Sequence, residues 1–448
     1  MNAKYKLGGK WMKAFKKYFT LFLAVVILGS SLAACGGDQQ KAHNDDTKTS
    51  TGKTTGGKTK IVYWSHFGGE DGTYMKNMVD TFNAENDHIK VEHLQVINEN
   101  YYAKLKTGIS SGEGPDIATG DADRLTELKA GDMVQDMKPY GDKLGVDWSS
   151  YNENILNSCI VDGETLAIPI SSYASIMFAN KKLLEDADML RLNDEGQVDF
   201  GGTAESFLAF LEEYNRKKPD DVYTIVGSNN GDEINRFWWT FFGQTGETLL
   251  NEDMTDTNVN SANSRKALSL LASLADKGYW PRGMEDPDQV FLANKAAFLL
   301  SGVWWVGAMS ENPDLDIIAM PIPQVFDQPA AWGGTHVFYL TPHPKQSEDQ
   351  KKAVVEFADW MASNAGEWCK AGHLPAKPMV QESDEYKSLK NRDSYIEVND
   401  YMVNMPQNKN LTAIVDVMKK YMPLVMDGSS TVDEVLSTCE KEIRAKLK

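Results

Sequence analysis

The sequence predicts an α/β protein with two lobes, and three observations lead to this prediction. Strand and helix signals alternate over residues 60–128, an order that favours parallel strands joined by right-handed crossovers. Residues 60–448 form a longer chain than a single hydrophobic core usually stabilises, so two domains are expected. Helical patterns dominate the middle of the chain, which predicts that the second lobe is richer in helix.

The elements of the first lobe follow one another in strict alternation. Short apolar or alternating runs predict strands at 60–64, 88–96 and 115–119. Apolar residues at helical spacing predict helices at 74–82, 101–109 and 125–128. Ligands of such sheets bind beyond the carboxyl ends of the strands, so the residues that follow each strand are candidates for a binding site.

The later elements are assigned from the same patterns. Helices are predicted at 205–214, 232–242, 264–277 and 348–363. Thr203 is the expected N-cap of the first of these helices, and Gly278 is expected to end the third. Strands are predicted at 295–300, 316–323 and 336–342.

The N-terminus has the layout of a bacterial signal peptide. Six lysines and no acidic residue precede an apolar run at 21–28 that is short for a membrane span. Leu32-Ala33-Ala34-Cys35 resembles the lipobox, in which the preceding peptide is removed and the cysteine thiol is diacylated. We therefore expect residues 1–34 to be a lipoprotein signal peptide and Cys35 to be lipidated, which anchors the protein to a membrane. An ordinary signal peptide with a cysteine nearby by chance is the alternative.

The net charge of the chain argues against nucleic acid as a partner. Removal of residues 1–34 changes the net charge from −18 to −24, and so acidic a surface repels nucleic acid.

Residues 36–59 hold no large apolar side chain, so 35–59 is predicted to be the lipidated cysteine and a disordered linker. The linker matches the P-loop pattern at 52–59. A polar tail precedes that match and a strand follows it, the reverse of the order that phosphate binding requires.

Neither a metal nor a cofactor is expected. Cys159, Cys369 and Cys439 can form one disulfide at most, and their spacing does not suit zinc. The acidic segment 185–202 has Arg191 where a calcium loop needs an acid.

The abundance of tryptophan and of acidic residues suits the binding of sugars. A sugar has apolar C–H faces and a rim of hydroxyls, so its capture needs flat aromatic platforms and carboxylates that accept hydroxyl hydrogens. The chain holds 11 tryptophans, with adjacent pairs at Trp238-Trp239 and Trp304-Trp305. Aromatic residues occupy most of 237–242 and would encircle a helix, so we expect some of them to meet a ligand or another surface.

Five stretches resemble the carbohydrate-binding extracellular solute-binding proteins of ABC importers, the group that includes maltodextrin-binding protein. They are "SSGEGPDIATGDADRLTELKAGDMVQDMKPY", "LAIPISSYASIMFANKKLL", "FLANKAAFLLSGVWWVGAM", "AMPIPQ...WGGTHVFYL" and "AVVEFADWMAS...GHLPA". They occur in the order and spacing of that family and span nearly the whole mature chain.

The resemblance implies a type II periplasmic-binding-protein fold. In this fold each lobe is a mostly parallel sheet flanked by helices, and a hinge joins the two lobes. Lobe 1 is then expected to hold residues 60–168 plus 336–378, and the helix-rich lobe 2 to hold residues 169–335 plus 379–448.

The resemblance also implies a sugar site in the cleft between the lobes. Positions after predicted strands, positions in the segments that cross between the lobes, and the aromatic pairs supply the candidates. The residues expected to bind the ligand are Trp64, Ser65, His66, Asp121, Asp123, Tyr173, Trp238, Trp239, Trp304, Trp305, Trp332, Gly334 and His373. Each also has a structural alternative, because tryptophans commonly fill cores, loop acids are often solvated and histidines often lie at the surface.

The function that follows is capture rather than catalysis. We expect a monomeric lipoprotein on the outer face of the cytoplasmic membrane, in a bacterium of Gram-positive type. It would bind a mono- or oligosaccharide and pass it to the permease subunits of an ABC importer. Two alternatives stay open: a cell-surface glycoside hydrolase, which needs two carboxylates about 5 to 10 Å apart, and a lipid-anchored glycan adhesin or sensor subunit.

Overall fold

The computed structural model describes residues 57–97, 100–284, 286–403 and 405–448. The predicted signal peptide, Cys35 and most of the predicted linker lie outside the described residues. Within the described part of the chain, every helix is too short or too polar to cross a membrane.

The strands and helices alternate along the chain as the sequence patterns predict. The strands are β1 Thr59–Ser65, β2 Ile89–Gln95, β3 Ile117–Asp121, β4 Ile160–Val161, β5 Glu164–Thr165, β6 Ile168–Asn180, β7 Tyr223–Val226, β8 Ala296–Gly302, β9 Ile317–Pro321, β10 Ala331–Leu340, β11 Leu374–Pro375 and β12 Met402–Val403. The helices before β8 are α1 Gly69–Glu85, α2 Tyr101–Ser111, α3 Leu125–Ala130, α4 Lys138–Leu144, α5 Glu153–Asn157, α6 Lys181–Asp186, α7 Ala204–Lys217, α8 Gly231–Gly243, α9 Ala262–Asp276 and α10 Pro287–Leu292. The helices after β8 are α11 Val306–Glu311, α12 Glu348–Ser363, α13 Gly366–Cys369, α14 Asp384–Lys387, α15 Val398–Tyr401, α16 Leu411–Tyr421, α17 Pro423–Met426 and α18 Val432–Leu447.

Local signals placed several of these elements correctly. Thr203 caps α7 through a capping box, in which its side chain and that of Ser206 each satisfy a backbone N–H of the first turn. Helix α12 spans the predicted residues. Other elements were not predicted, among them the strands β6 and β7 and the C-terminal helices α16 to α18.

The strands form a mixed sheet in the order β2-β1-β3-β10-β6-β8-β7. Strand β1 is parallel to β2 and to β3, as the alternation of strands and helices predicted, and β7 is parallel to β8. Strand β10 is antiparallel to β3 and β6, and β6 is antiparallel to β8 and β9. The expectation of mostly parallel strands therefore describes the outer strands, whereas the central strands are antiparallel.

Strand β6 is shared between two parts of the sheet. Its residues 168–174 pair with β10, and its residues 175–180 pair with β8 and β9. We call β1, β2, β3 and residues 336–340 of β10 the first half-sheet. We call β7, β8, β9 and residues 175–180 of β6 the second half-sheet.

Each half-sheet is covered on both faces. Because successive side chains of a strand point to opposite faces, Tyr63 packs in one core with α1 and α12, while the adjacent Trp64 packs in another core with α2 and α3. The second half-sheet alternates in the same way, with Met177 in one core and the adjacent Phe178 in the other. Two pairs of cores result, one pair for each half-sheet.

The larger core of the second half-sheet takes in the aromatic run of α8. Phe237, Trp238, Trp239, Phe241 and Phe242 are all buried there, among side chains of α7, α9, α16 and α18. As predicted, one helix face cannot bury the whole run. The aromatic side chains on the different faces of α8 pack against neighbouring helices of the same protein.

The division into lobes stays a prediction, but the cores bear on its boundaries. Val380 and Tyr386 pack in a core of the first half-sheet, although the predicted boundary at 378/379 assigns them to lobe 2. The segment 185–202 covers the second half-sheet, where Met189, Val198 and Phe200 are buried. Its residues are absent from the lining of the cavities described below.

The three cysteines of the folded part are separate, free and buried. Burial raises the pKa of the Cys159 thiol to about 12 and that of the Cys439 thiol to about 12. These thiols therefore stay protonated and pack as small apolar side chains.

Candidate ligand-binding cleft

A cavity lies between the two half-sheets. Its free volume is about 720 Å³ when the open solvent at its mouth is counted. It is lined by Tyr102, Asp121, Asp123, Arg124, Tyr173, Asp232, Asn235, Arg236, Trp332, Gly333, Met405, Val415 and Lys419. We call this cavity the cleft. A second cavity of about 630 Å³ on the same measure adjoins it at Asp123, Gly333 and Met405, and Gly334 contributes to the lining of that cavity.

Asp121 is held in place by two tyrosines at the end of β3. The hydroxyl of Tyr173 donates to Asp121 Oδ1 at 2.8 Å, and the hydroxyl of Tyr102 donates to Asp121 Oδ2 at 3.1 Å. Tyr173 can reach Asp121 because its ring lies against Gly334, where a Cβ would come within 2.3 Å of the tyrosine oxygen. These two hydrogen bonds from neutral hydroxyls fix the orientation of the Asp121 carboxylate.

Asp123 follows two residues later, in the 3₁₀ turn Ala122–Arg124, and has a different environment. It is exposed to the cleft and forms no ion pair within 4 Å among the described residues. Although the side chain is exposed to the cleft, the protein around the cleft partly desolvates its carboxyl, and Asp121 adds a negative charge nearby, so the pKa of Asp123 is raised to about 7. At neutral pH this carboxyl can therefore either donate or accept a hydrogen bond.

The cations of the cleft are already paired with protein acids. Lys419 Nζ lies 2.6 Å from Asp232 Oδ1, and Arg236 Nη1 lies 2.6 Å from Glu233 Oε1. Arg124 lies over the ring of Tyr102, with its Cζ 4.5 Å from the ring centre. A ligand therefore meets a cleft in which Lys419 and Arg236 are already paired with acids, and in which Asp121 and Asp123 form no ion pair within 4 Å among the described residues.

Two tryptophans share the guanidinium of Arg236. The Cζ atom of Arg236 lies 4.5 Å from the ring centre of Trp332 and 5.0 Å from that of Trp304. Trp332 lines the cleft, and its ring centre lies 5.8 Å from that of Tyr173. Trp304 folds over Gly302, where a Cβ would come within 2.1 Å of the indole, and it contacts Arg236 but does not line the cleft.

Asn235 presents an unsatisfied acceptor. Its side chain is 2 % exposed, and its Oδ1 has no hydrogen-bond partner among the described residues. An amide oxygen buried without a donor costs about 1–3 kcal/mol. Because Asn235 lines the cleft, a ligand hydroxyl or N–H can supply the missing donor.

Three predicted contacts at the end of β1 do not line the cleft. Trp64 is 8 % exposed and packs in a core with Leu105. Ser65 is fully buried, with its Oγ 2.7 Å from His93 Nε2. His66 is partly buried, with its ring centre 5.0 Å from that of Tyr101. The strand ends where predicted, but its last side chains point into packed protein.

Trp238 and Trp239 are wrong as ligand contacts. They are 0 % and 2 % exposed, and they lie inside the larger core of the second half-sheet. Trp238 stacks on Phe242 at 4.8 Å, and its Nε1 donates to the carbonyl of Ser264 at 3.4 Å. Helices cover the faces that a sugar would need.

Two further candidates lie outside the lining of the cleft. His373 is 2 % exposed and stacks on Trp368 at 4.6 Å, with its Nε2 3.3 Å from Asp71 Oδ1. Trp305 is partly buried against a core of the second half-sheet. The structure thus brings Asp121, Asp123, Tyr173 and Trp332 together in one cavity.

Several cleft residues were missed from the sequence. Asp232, Asn235 and Arg236 stand at positions i, i+3 and i+4 of α8, so they share one helix face. Val415 and Lys419 stand four residues apart on α16. The sequence did offer one signal for Asp232, Asn235 and Arg236, namely their helical spacing next to the aromatic run. A polar face on an otherwise buried helix has to contact polar groups or solvent, and this indicates a polar cavity beside it.

Comparison with known proteins places the chain in a family. The model of the bacterial extracellular solute-binding proteins matches residues 77–393, and the chain belongs to that family. The galactooligosaccharide-binding protein of Bacillus subtilis is 21 % identical, over 97 % of this chain and 99 % of that protein. The diacetylchitobiose binding protein DasA of Streptomyces coelicolor is 25 % identical, over 75 % of this chain and 77 % of that protein.

Solved structures share the fold. The cyclic alpha-maltosyl-1,6-maltose binding protein of Arthrobacter globiformis superposes with a TM-score of 0.74 at 20 % identity, over 88 % of this chain and 100 % of that chain. The substrate-binding protein Lmo0181 of Listeria monocytogenes, solved with cycloalternan, gives a TM-score of 0.73 at 22 % identity, over 87 % of this chain and 98 % of that chain. The two-lobed type II binding-protein fold predicted from the sequence is confirmed.

The raised pKa of Asp123 predicts a pH-dependent penalty on folding. The unfolded chain ionises this carboxyl near pH 4, whereas the folded protein does so at about pH 7. The stability that the group contributes is thus present below about pH 4 and is lost as the pH rises to about 7. Asp123→Asn removes the group, so the variant should gain stability relative to the wild type across this window and show no further change above it. Urea denaturation at a series of pH values measures the difference, and parallel profiles for the two proteins would contradict the assignment.

Proposed function

We propose that the protein is the extracytoplasmic binding subunit of an ABC importer, which captures a mono- or oligosaccharide in the cleft and delivers it to the membrane permease. The observation that carries this proposal is the combination of groups in one cavity. The indole of Trp332, beside the guanidinium of Arg236, contributes aromatic surface, and Asp121, Asp123 and Asn235 offer oxygen acceptors around it. Relatives named for galactooligosaccharide and diacetylchitobiose binding support the same class of ligand.

The charge of the cleft favours a neutral sugar. Lys419 and Arg236 are each paired with an acid, and Asp121 and Asp123 lie in the same cleft, so an anionic group of a ligand would meet two carboxyls there. Hydroxyls suit this environment because they can donate to Asp121 and can either donate to or accept from Asp123. A polyhydroxylated, uncharged ligand therefore fits the groups that are present.

Capture would work by closure of the two halves around the ligand. Asp121, Asp123 and Arg124 come from the first half-sheet, while Asn235 and Arg236 come from a helix that packs on the second. A ligand that contacts both sides favours the arrangement in which both sides are close, and its differential contacts set the size of the shift. The permease would then distinguish loaded from empty protein by this arrangement.

Sugar binding is tested by thermal unfolding against a panel of neutral mono- and oligosaccharides. A ligand at 100 times its Kd should add about 2.7 kcal/mol to the free energy of unfolding. Calorimetry of the best ligand with Trp332→Ala should then show affinity lower by about tenfold or more, because a stacked aromatic platform is lost. Trp148→Ala is the matched control, since Trp148 packs near Tyr151, outside the cleft, and should leave affinity unchanged.

Two outcomes of this experiment would contradict the proposal. One is the absence of any stabilising sugar in a panel that covers different lengths and linkages. The other is release of shortened products during incubation, which would favour a glycoside hydrolase that uses carboxylates of the cleft. Equal affinities of Trp332→Ala and the wild type would remove the assignment of Trp332 while leaving the class of ligand in place.

We also propose that the mature protein is a monomer anchored through lipidated Cys35 to the outer face of the cytoplasmic membrane. The lipobox-like sequence before Cys35 and the family's extracellular description support this location. Cys35→Ala should move the protein from the membrane fraction to the medium and abolish incorporation of labelled palmitate. Retention of the variant in membranes, with the label still incorporated, would show that another residue carries the anchor.

A further inference from the structure

A threonine in the first turn of helix α16 contacts the opposite side of the cleft. Arg124 Nη1 donates a hydrogen bond to Thr412 Oγ1. Thr412 Oγ1 in turn donates to Glu127 Oε2 at 3.0 Å. Arg124 and Glu127 are themselves an ion pair, with Nη2 3.5 Å from Oε2, so the three side chains close a ring of polar contacts.

This contact joins two separate cores. Ile414 and Met418 anchor α16 in the larger core of the second half-sheet. Ala122 and Leu125 flank Arg124 and are anchored in a core of the first half-sheet. The three polar side chains therefore span the cleft without any ligand.

Threonine is chemically suited to this position. A guanidinium can only donate and a carboxylate can only accept, whereas a hydroxyl can do both at once. Thr412 thereby satisfies Arg124 and Glu127 together. Removal of its hydroxyl would leave the Arg124–Glu127 pair intact, because that pair lies entirely on the first side.

The position of Arg124 links this contact to the ligand. Arg124 lines the cleft, and its guanidinium lies over Tyr102. Its Nε is buried and has no hydrogen-bond partner among the described residues. A guanidinium held at one end by Thr412 thus keeps an unused N–H donor at the wall of the cleft.

We propose that Thr412 is a positioning residue that ties Arg124 across the cleft, holds the two sides together and thereby slows the escape of the ligand. The effect on the ligand rests on the proposed sugar-binding function, whereas the effect on closure does not. A second bridge, from Gln407 Nε2 to the carbonyl of Ile160 at 2.6 Å, lies near the same rim and remains when Thr412 is changed.

Thr412→Val is the discriminating variant, because valine keeps the shape and loses the hydroxyl. Thr412→Ser keeps the hydroxyl and should restore wild-type behaviour. Thr438→Val is the matched control, since Thr438 is also partly buried on a helix of the second side and bonds only to the carbonyl of Glu434 at 2.8 Å. Thr412→Ala replaces the valine variant if thermal melting shows that Thr412→Val is not folded.

The first measurement needs no ligand. Small-angle X-ray scattering should give a larger radius of gyration for ligand-free Thr412→Val than for the wild type, Thr412→Ser or Thr438→Val. Equal radii for all four proteins would overturn the proposed tie across the cleft, whether or not the protein binds sugar.

The second measurement uses the sugar that stabilises the wild type most. Stopped-flow fluorescence should show ligand dissociation from Thr412→Val accelerated about tenfold, as expected for losing a hydrogen bond to a charged group. The association rate should change by less than about twofold, since interface changes act mainly on dissociation. Unchanged dissociation alongside an increased radius would overturn the role in ligand retention, and failure of the wild type to bind any sugar would count against the proposed function alone.

Discussion

The antiparallel pairing of β6 with β10 is the constraint on which the rest of the structure depends. Residues 336–340 of β10 belong to the first half-sheet, and residues 175–180 of β6 belong to the second. Their register places Gly334 opposite Tyr173 and Gly333 opposite Ala174. The absence of a side chain at Gly334 gives the ring of Tyr173 the room it needs to reach Asp121. The floor of the cleft is therefore set by backbone hydrogen bonds, and its polar groups attach to that floor.

The cations of the cleft are paired with acids, whereas two of its carboxyls form no ion pair among the described residues. This difference determines which ligands the cleft favours. Protein acids already neutralise Lys419 and Arg236, so these cations orient neighbours rather than attract an anion. Asp121 is fixed by two hydroxyls, while desolvation and the nearby charge of Asp121 raise the pKa of Asp123 to about 7. A site of this kind gains little from a charged ligand and much from one that supplies many hydroxyls.

Much of the fold was predictable because its signals are local. The alternation of strands and helices gave the parallel pairs around β1, and a capping threonine marked the start of α7. Strand β6 escaped because nearly all of its residues are buried on both faces, so the sequence shows no alternation. The antiparallel middle of the sheet depends on pairing between segments far apart in the chain, which local patterns do not report.

The candidate site was predicted in part, for the same reason. Asp121, Asp123, Tyr173 and Trp332 lie on or directly after strands of the shared sheet, where position along the chain fixes position in space. Trp238 and Trp239 were misjudged because residue type alone does not reveal how many helices pack around α8. Lys419 lies on a helix that meets the cleft through tertiary packing, and no local signal distinguishes it from a surface residue.

A crystal structure of the protein with its tightest-binding neutral sugar tests the central claim most directly. The account predicts electron density for a sugar in the cleft, with a pyranose or furanose face against Trp332 and ring hydroxyls within hydrogen-bond distance of Asp123 and Asn235. A sugar bound at another surface, with Trp332 and Asp123 untouched, would contradict it.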